Sequence, residues 1–96
     1  MIDSLTASED AQTLLISWTS GEETSVPASV LRRRARDAWT RREEIDFGTV
    51  RVDPGIRITA LQQVGMGGVN VHFSDGHDKA IYPFEYLRTL SDSFDN

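Results

Sequence analysis

His72 and His77 are the chain's only imidazoles, and His77 stands in the run Asp75-Gly76-His77-Asp78. An imidazole flanked by carboxylates can relay a proton or ligate zinc, iron or nickel. The same residues also suit a tight turn, in which the Asp75 side chain stabilises the turn and His77 satisfies neighbouring backbone groups. His72 falls on the strand face opposite Val71 and Phe73, so nothing requires it to meet His77. Neither histidine is followed two residues later by an acid, which removes the H-x-D/E spacing of a non-haem iron oxygenase. No nucleophile elbow or histidine-paired serine is evident either.

The second chemical feature is arginine. Arg32, Arg33, Arg34, Arg36, Arg41 and Arg42 lie between Val30 and Arg42 against one acid, Asp37, a local net charge of +5 that leaves −10 for the rest of the chain. Guanidinium groups favour bidentate contact with carboxylates and phosphates, so the run reads either as a docking face or as a solvated helix face paired with Glu43, Glu44 and Asp46. Tyr82, Phe84 and Tyr86 form an aromatic cluster beside Arg88. Phe84 is expected in the core, and Tyr82 or Tyr86 could anchor a partner. Gly65-Met66-Gly67-Gly68 lacks the G-K-[S/T] of a phosphate loop and leads into a strand, so it reads as a turn or bulge.

These residues must be held by a small scaffold. Leu14, Ile16 and Trp18 alternate with Leu15 and Ser17, and Val69, Val71 and Phe73 alternate with Asn70, His72 and Ser74, which predicts two half-buried strands. Ser20-Gly21 and Asp75-Gly76 supply turns, Thr24–Val26 and Ala80–Tyr82 return strands, and Pro27 and Pro83 the first residue of a short helix. Trp18 and Phe73, Gly21 and Gly76, Pro27 and Pro83, Leu31 and Leu87, and Arg32 and Arg88 recur at separations of 55 or 56 residues, so the unit reads as a duplication. Phe84, Leu87 and Leu90 have the spacing of a buried helical face. Between the copies, Ala35–Glu44 extends the first helix or forms a loop anchored by Trp39. Asp53-Pro54-Gly55 is a turn, and Ile56, Ile58 and Ala60 open another strand before Val64. The expected fold is a small α+β domain of mostly antiparallel strands with two short helices. It occupies residues 11–90, with residues 1–10 and 91–96 as flexible termini.

The composition agrees with one such domain. The chain has 96 residues, 39% hydrophobic and 26% charged, with no cysteine and a net charge of −5. A chain this short buries only about 60–65% of its unfolded surface. Absence of cysteine excludes a disulfide scaffold, a thiol nucleophile and thiolate ligation from this chain. No apolar run reaches a membrane span and no signal-peptide pattern opens the chain, so a cytoplasmic location is expected. The acidic balance argues against general nucleic-acid binding.

Phe73-Ser74-Asp75-Gly76-His77 followed by Ile81-Tyr82-Pro83-Phe84-Glu85-Tyr86-Leu87-Arg88 resembles the gamma-butyrobetaine hydroxylase-like N-terminal domain family, also called DUF971. Trp18, Gly21, Pro27, Leu31 and Arg32 are similar to its first half, so the resemblance spans roughly residues 12–90. It implies a domain that, in carnitine-biosynthesis dioxygenases, precedes an iron- and 2-oxoglutarate-dependent catalytic domain and binds zinc through three cysteines and the histidine equivalent to His77. Here the cysteine stretch is Arg33-Arg34-Ala35-Arg36-Asp37-Ala38-Trp39-Thr40, which points to the stand-alone bacterial type without that zinc site. Related domains in iron–sulfur carrier proteins suggest an association with cluster handling.

The expectation is therefore a non-enzymatic accessory or protein-interaction module without a cofactor. It would present Arg32, Arg33, Arg34 and Arg36, the turn Asp75-Gly76-His77, and Tyr82 and Tyr86 to an acidic protein surface or a larger enzyme. The alternative is a metal-linked accessory protein, in iron–sulfur or iron handling, in which His77 binds metal only together with a partner's ligands.

Overall fold

The computed structural model describes residues 2–48 and 50–95, apart from the side chains of Trp39, Phe94 and Asp95. The anchoring role expected of Trp39 therefore lies outside the described residues. The fold is α+β, with two three-stranded antiparallel sheets of order β1-β2-β3 and β4-β5-β6. Sheet one comprises β1 (Ile2–Ala7), β2 (Thr13–Trp18) and β3 (Glu23–Pro27). The helices α1 (Ala28–Arg33) and α2 (Ala38–Phe47) follow. Sheet two comprises β4 (Ile58–Val64), β5 (Gly68–Phe73) and β6 (Ala80–Pro83), and α3 (Phe84–Asp95) completes the chain.

Period-2 patterning sets the core. Leu14, Ile16 and Trp18 of β2 and Val69, Val71 and Phe73 of β5 all point inward and are buried. Antiparallel register places Leu14 opposite Val26 and Val69 opposite Tyr82, so the return strands add buried side chains beside the central ones. Leu31 of α1 and Leu87 and Leu90 of α3 join the same cluster, the α3 pair at helical spacing as expected. Phe84 packs only partly against it.

The β2–β3 and β5–β6 hairpins each turn on a glycine in the left-handed region, Gly21 at φ 93° and Gly76 at φ 89°, where a side chain would strain the backbone. Strand, turn, strand, proline and helix thus occur in this order in both halves. The prolines sit one residue earlier than expected. Pro27 ends β3 and is the N-cap of α1, with an extended ψ of 144°, and Pro83 is the last residue of β6. Missing N–H groups cost nothing there, because neither proline needs to donate to a helix.

Three further expectations are corrected. The polar run at residues 1–10 contains a strand, β1, not a frayed end. Ile2 and Leu5 pack partly against the core although they are three apart, because a register shift between Ile2 and Ser4 absorbs the odd residue. The final residues 91–95 continue α3, where buried Ser91 accepts a hydrogen bond from Thr24 Oγ1 at 3.1 Å. There are three helices among the described residues rather than two, because Asp37 starts a new one. Its side chain accepts from the Thr40 N–H at 3.0 Å, while Gly48 at φ 75° closes the other end with its N–H on the Glu44 carbonyl. A second register shift, between Ile58 and Ala60, turns Ala60 outward and Leu61 toward the core. Gly65-Met66-Gly67 is the expected turn, and Gly68 is a buried strand residue against the Tyr82 backbone.

Candidate functional site

α1 is six residues long and leaves its last carbonyls without helical partners. Tyr82 of β6 donates its hydroxyl to the Leu31 carbonyl, and Tyr86 of α3 donates to the Arg34 carbonyl at 2.7 Å. The two rings stack, with centroids 6.3 Å apart and planes within 6°. Tyr82 is fully buried, and burial pushes its hydroxyl far above the ordinary tyrosine range. It is therefore a helix-end clamp, not an exposed anchor. Tyr82→Phe keeps the ring but leaves the Leu31 carbonyl unmet, and the expected loss is about 1–2 kcal/mol in urea denaturation.

Directly below this helix end lies a polar network that the sequence only half suggested. The Arg32 side chain is 5% exposed and donates through Nε to Asp75 Oδ2 at 2.9 Å. Its Nη1 donates to Thr40 Oγ1 at 2.9 Å, and Thr40 Oγ1 donates to Asp37 Oδ1 at 2.8 Å. His77 Nε2 lies 2.9 Å from Asp37 Oδ1, with both side chains 8% exposed. The His77 N–H closes the turn on Asp75 Oδ1 at 2.9 Å. Burial works against ionisation of Asp37, but the bonds from Thr40 and His77 outweigh it and hold its carboxyl below the ordinary aspartate value.

This arrangement joins α1, the start of α2 and the β5–β6 turn, and it corrects two sequence expectations. Arg32 is committed to the interior and is not part of a docking face. The His77 ring meets Asp37, forty positions away in sequence, instead of neighbouring backbone. Sequence alone does not single out Asp37 and Thr40 as site residues. The only signal for them was the helix-capping spacing Asp-x-x-Thr. His72 bonds Asn70 on its own strand and takes no part. Asp75, Gly76 and His77 do border a shallow depression of about 300 Å³ with Lys79.

The zinc site implied by the family resemblance does not fit these side chains. The aligned stretch supplies Asp37 and Thr40, and both are already bonded within the network. Among the described residues no three His, Cys, Asp or Glu side chains are grouped to hold a metal ion.

The remaining arginines do converge. Arg33, Arg34, Arg36 and Arg41 line one cleft of about 530 Å³, floored in part by Ala35 and Val50. Among the described residues Glu44 is its only acidic wall residue, and Tyr86 forms another side. Arg36 Cζ lies over the Tyr86 ring, 4.1 Å from its centroid, which holds that guanidinium at the cleft wall. Among the described residues none of these four arginines pairs with a carboxylate, whereas Arg42 reaches Asp46 at 3.6 Å on the other flank of α2. Among the described residues, carboxylate pairing along Arg33–Arg42 outside the buried network is thus confined to Arg42.

No helix among the described residues is long and apolar enough to cross a membrane. Similar folds occur among solved structures. A protein of unknown function of the DUF971 family from Acidithiobacillus ferrooxidans has a TM-score of 0.74 and 23% identity, over 94% of this chain and 91% of that one. Two proteins solved by NMR in solution have TM-scores of 0.76 and 0.72 at 24% and 19% identity, covering 97% and 99% of this chain and 70% and 75% of theirs. No curated protein matches the chain. The gamma-butyrobetaine hydroxylase-like N-terminal family matches residues 5–88, which include both sheets' central strands, the Arg32–Asp75–His77 network and the arginine cleft, and the chain belongs to that family.

Proposed function

We propose that this protein is a non-enzymatic interaction module that docks an acidic segment of a protein partner, a larger enzyme included, in the arginine cleft. The observation that supports the reading is four exposed guanidinium groups sharing one cleft with a single carboxylate. Such a cluster repels itself and is relieved by an anionic ligand. Geometry adds to this. Arg33 is the last residue of α1 and Arg34 its C-cap, Arg41 projects from α2, and the buried network beneath holds the two helices at a set spacing. A partner's carboxylates would meet preoriented donors, which lowers the ordering cost of docking. The alternative metal-linked role needs His77 to turn toward a partner, and its bond to Asp37 in a largely buried setting weighs against that.

The test is fluorescence anisotropy with a labelled Glu-rich peptide and its Gln-rich counterpart. The wild type should bind the acidic peptide in a salt-dependent manner and ignore the neutral one. Arg33→Glu, Arg34→Glu and Arg36→Glu together should weaken binding by about 10- to 100-fold. Arg42→Glu, outside the cleft, should leave it unchanged. Equal binding by the triple variant and the wild type rejects the cleft as the docking site.

A further inference from the structure

The arginine cleft is not charged throughout. Ala35 and Val50 line it among the guanidinium groups, and both are otherwise buried, so its base is apolar. α2 adds a third apolar group. Arg41 and Glu44 of this helix and Gly48 at its C-cap line the cleft. Ile45 stands four residues after Arg41 and three before Gly48, so the helical repeat sets it on the same flank of α2, at the outer rim. It is 82% exposed. A lone exposed isoleucine signifies little by itself. This one borders a cleft with an apolar base and cationic walls.

We infer that the occupant of the cleft is an acidic protein segment bearing an aliphatic side chain, and that Ile45 is the residue that selects that side chain. The aliphatic group seats on Ala35 and Val50 beside Ile45, while flanking carboxylates meet Arg33, Arg34, Arg36 and Arg41. This rests on the arginine-cleft reading and adds to it a specificity for sequence. Charge selects an acidic occupant, because four guanidinium groups share the cleft with one carboxylate among the described residues. Size and polarity select a segment of chain over a compact oxyanion. The cleft holds about 530 Å³, far more than a phosphate group fills, and an oxyanion at its base would exchange water for the methyl groups of Ala35 and Val50. Glu44 decides where the apolar side chain goes. It precedes Ile45 on the cleft side of α2 and repels a carboxylate placed there, whereas it tolerates an uncharged group. An aliphatic side chain at this position also removes apolar area from water and keeps solvent from the neighbouring ion pairs.

The test compares two acidic peptides that differ at a single central position, leucine in one and alanine in the other, by fluorescence anisotropy and amide NMR. The wild type should bind the leucine peptide about 5- to 10-fold more tightly. That peptide should shift the amides of Ala35, Ile45 and Val50 more than its alanine counterpart does. Ile45→Ser should lower the preference for leucine about three-fold, with the melting temperature unchanged because the side chain is exposed. Ile45→Leu should keep the preference. Phe47→Ser, beside Arg42 on the other flank of α2, should leave it at the wild-type value. Equal affinity of the wild type for the two peptides overturns the inference and leaves the arginine-cleft reading standing, and so does an Ile45→Ser variant that keeps the full preference. If neither peptide binds in a salt-dependent manner, the cleft reading fails and this inference with it.

Discussion

Arg32→Ala is expected to lower the unfolding free energy by about 2–3 kcal/mol, because the Asp75 side chain it abandons is 32% exposed and can take up water in its place. The substitution removes a guanidinium that is 5% exposed and leaves the Asp75 carboxylate without its partner, together with an unmet acceptor on Thr40. Arg32→Lys should rescue little. Nε and Nη1 address two acceptors at once in a planar fork, and an ammonium offers a single point of charge. Urea denaturation measures the loss, and a double-mutant cycle with Asp75→Ala isolates the coupling between the pair. A loss below about 1 kcal/mol would mean that the pair behaves as a surface ion pair. Arg88 supplies the comparison. It reaches Glu22 at 2.9 Å, on the turn of the opposite half, but its side chain is 36% exposed. Solvent screens that pair, and Arg88→Ala should cost far less.

The second large effect concerns Asp37. Asp37→Ala removes the N-cap of α2 and the partner of His77 together, with an expected loss of about 2–3 kcal/mol. Thr40 is the only described side chain of α2 that is fully buried, so the helix depends on this attachment. Hydrogen exchange should accelerate across α2 in the variant while β2 and β5 keep their protection. The effect also carries a pH signature. Because the folded protein holds the Asp37 carboxyl below its ordinary value, the folded state binds that proton less readily than the unfolded chain. Its stabilisation is complete above the unfolded value of about 3.9 and is lost as pH falls through the lower folded value. The stability gap between wild type and Asp37→Asn should therefore be wide at neutral pH and narrow in acid. A gap of constant size from neutral to strongly acid pH would contradict this role.

The network explains why acidic and arginine positions were harder to read than apolar ones. Arg32 and Arg33 are adjacent arginines in the same helix turn, yet one is buried and the other exposed. No local rule separates them. The distinction comes from the direction in which α1 faces the β5–β6 turn, a contact across 43 positions. Likewise, the run from Ala35 to Glu44 contains no proline or glycine to mark a break, and only capping by Asp37 divides it from α1. Tyr82 and Tyr86 had equal claims as exposed anchors. Strand pairing buried one, and helix packing left the other half-exposed beneath Arg36.

What the sequence by itself determined is the α+β frame: the inward faces of β2 and β5, the two glycine turns, the prolines between strand and helix, and the buried stripe of α3. Each follows from interactions within a few residues, where a period of two or 3.6 maps directly onto burial. The family followed from the same local features, matched over residues 5–88. Tertiary structure alone decided which charged residues meet. It drew Arg32, Asp37, Thr40, Asp75 and His77 into one network and left Arg33, Arg34, Arg36 and Arg41 around an open cleft. It also recruited β1 through a register shift that breaks the alternation a reader of sequence relies on. The physical reason is shared: a side chain's ionic partner is chosen by the packing of distant elements, and its own neighbours along the chain do not encode it.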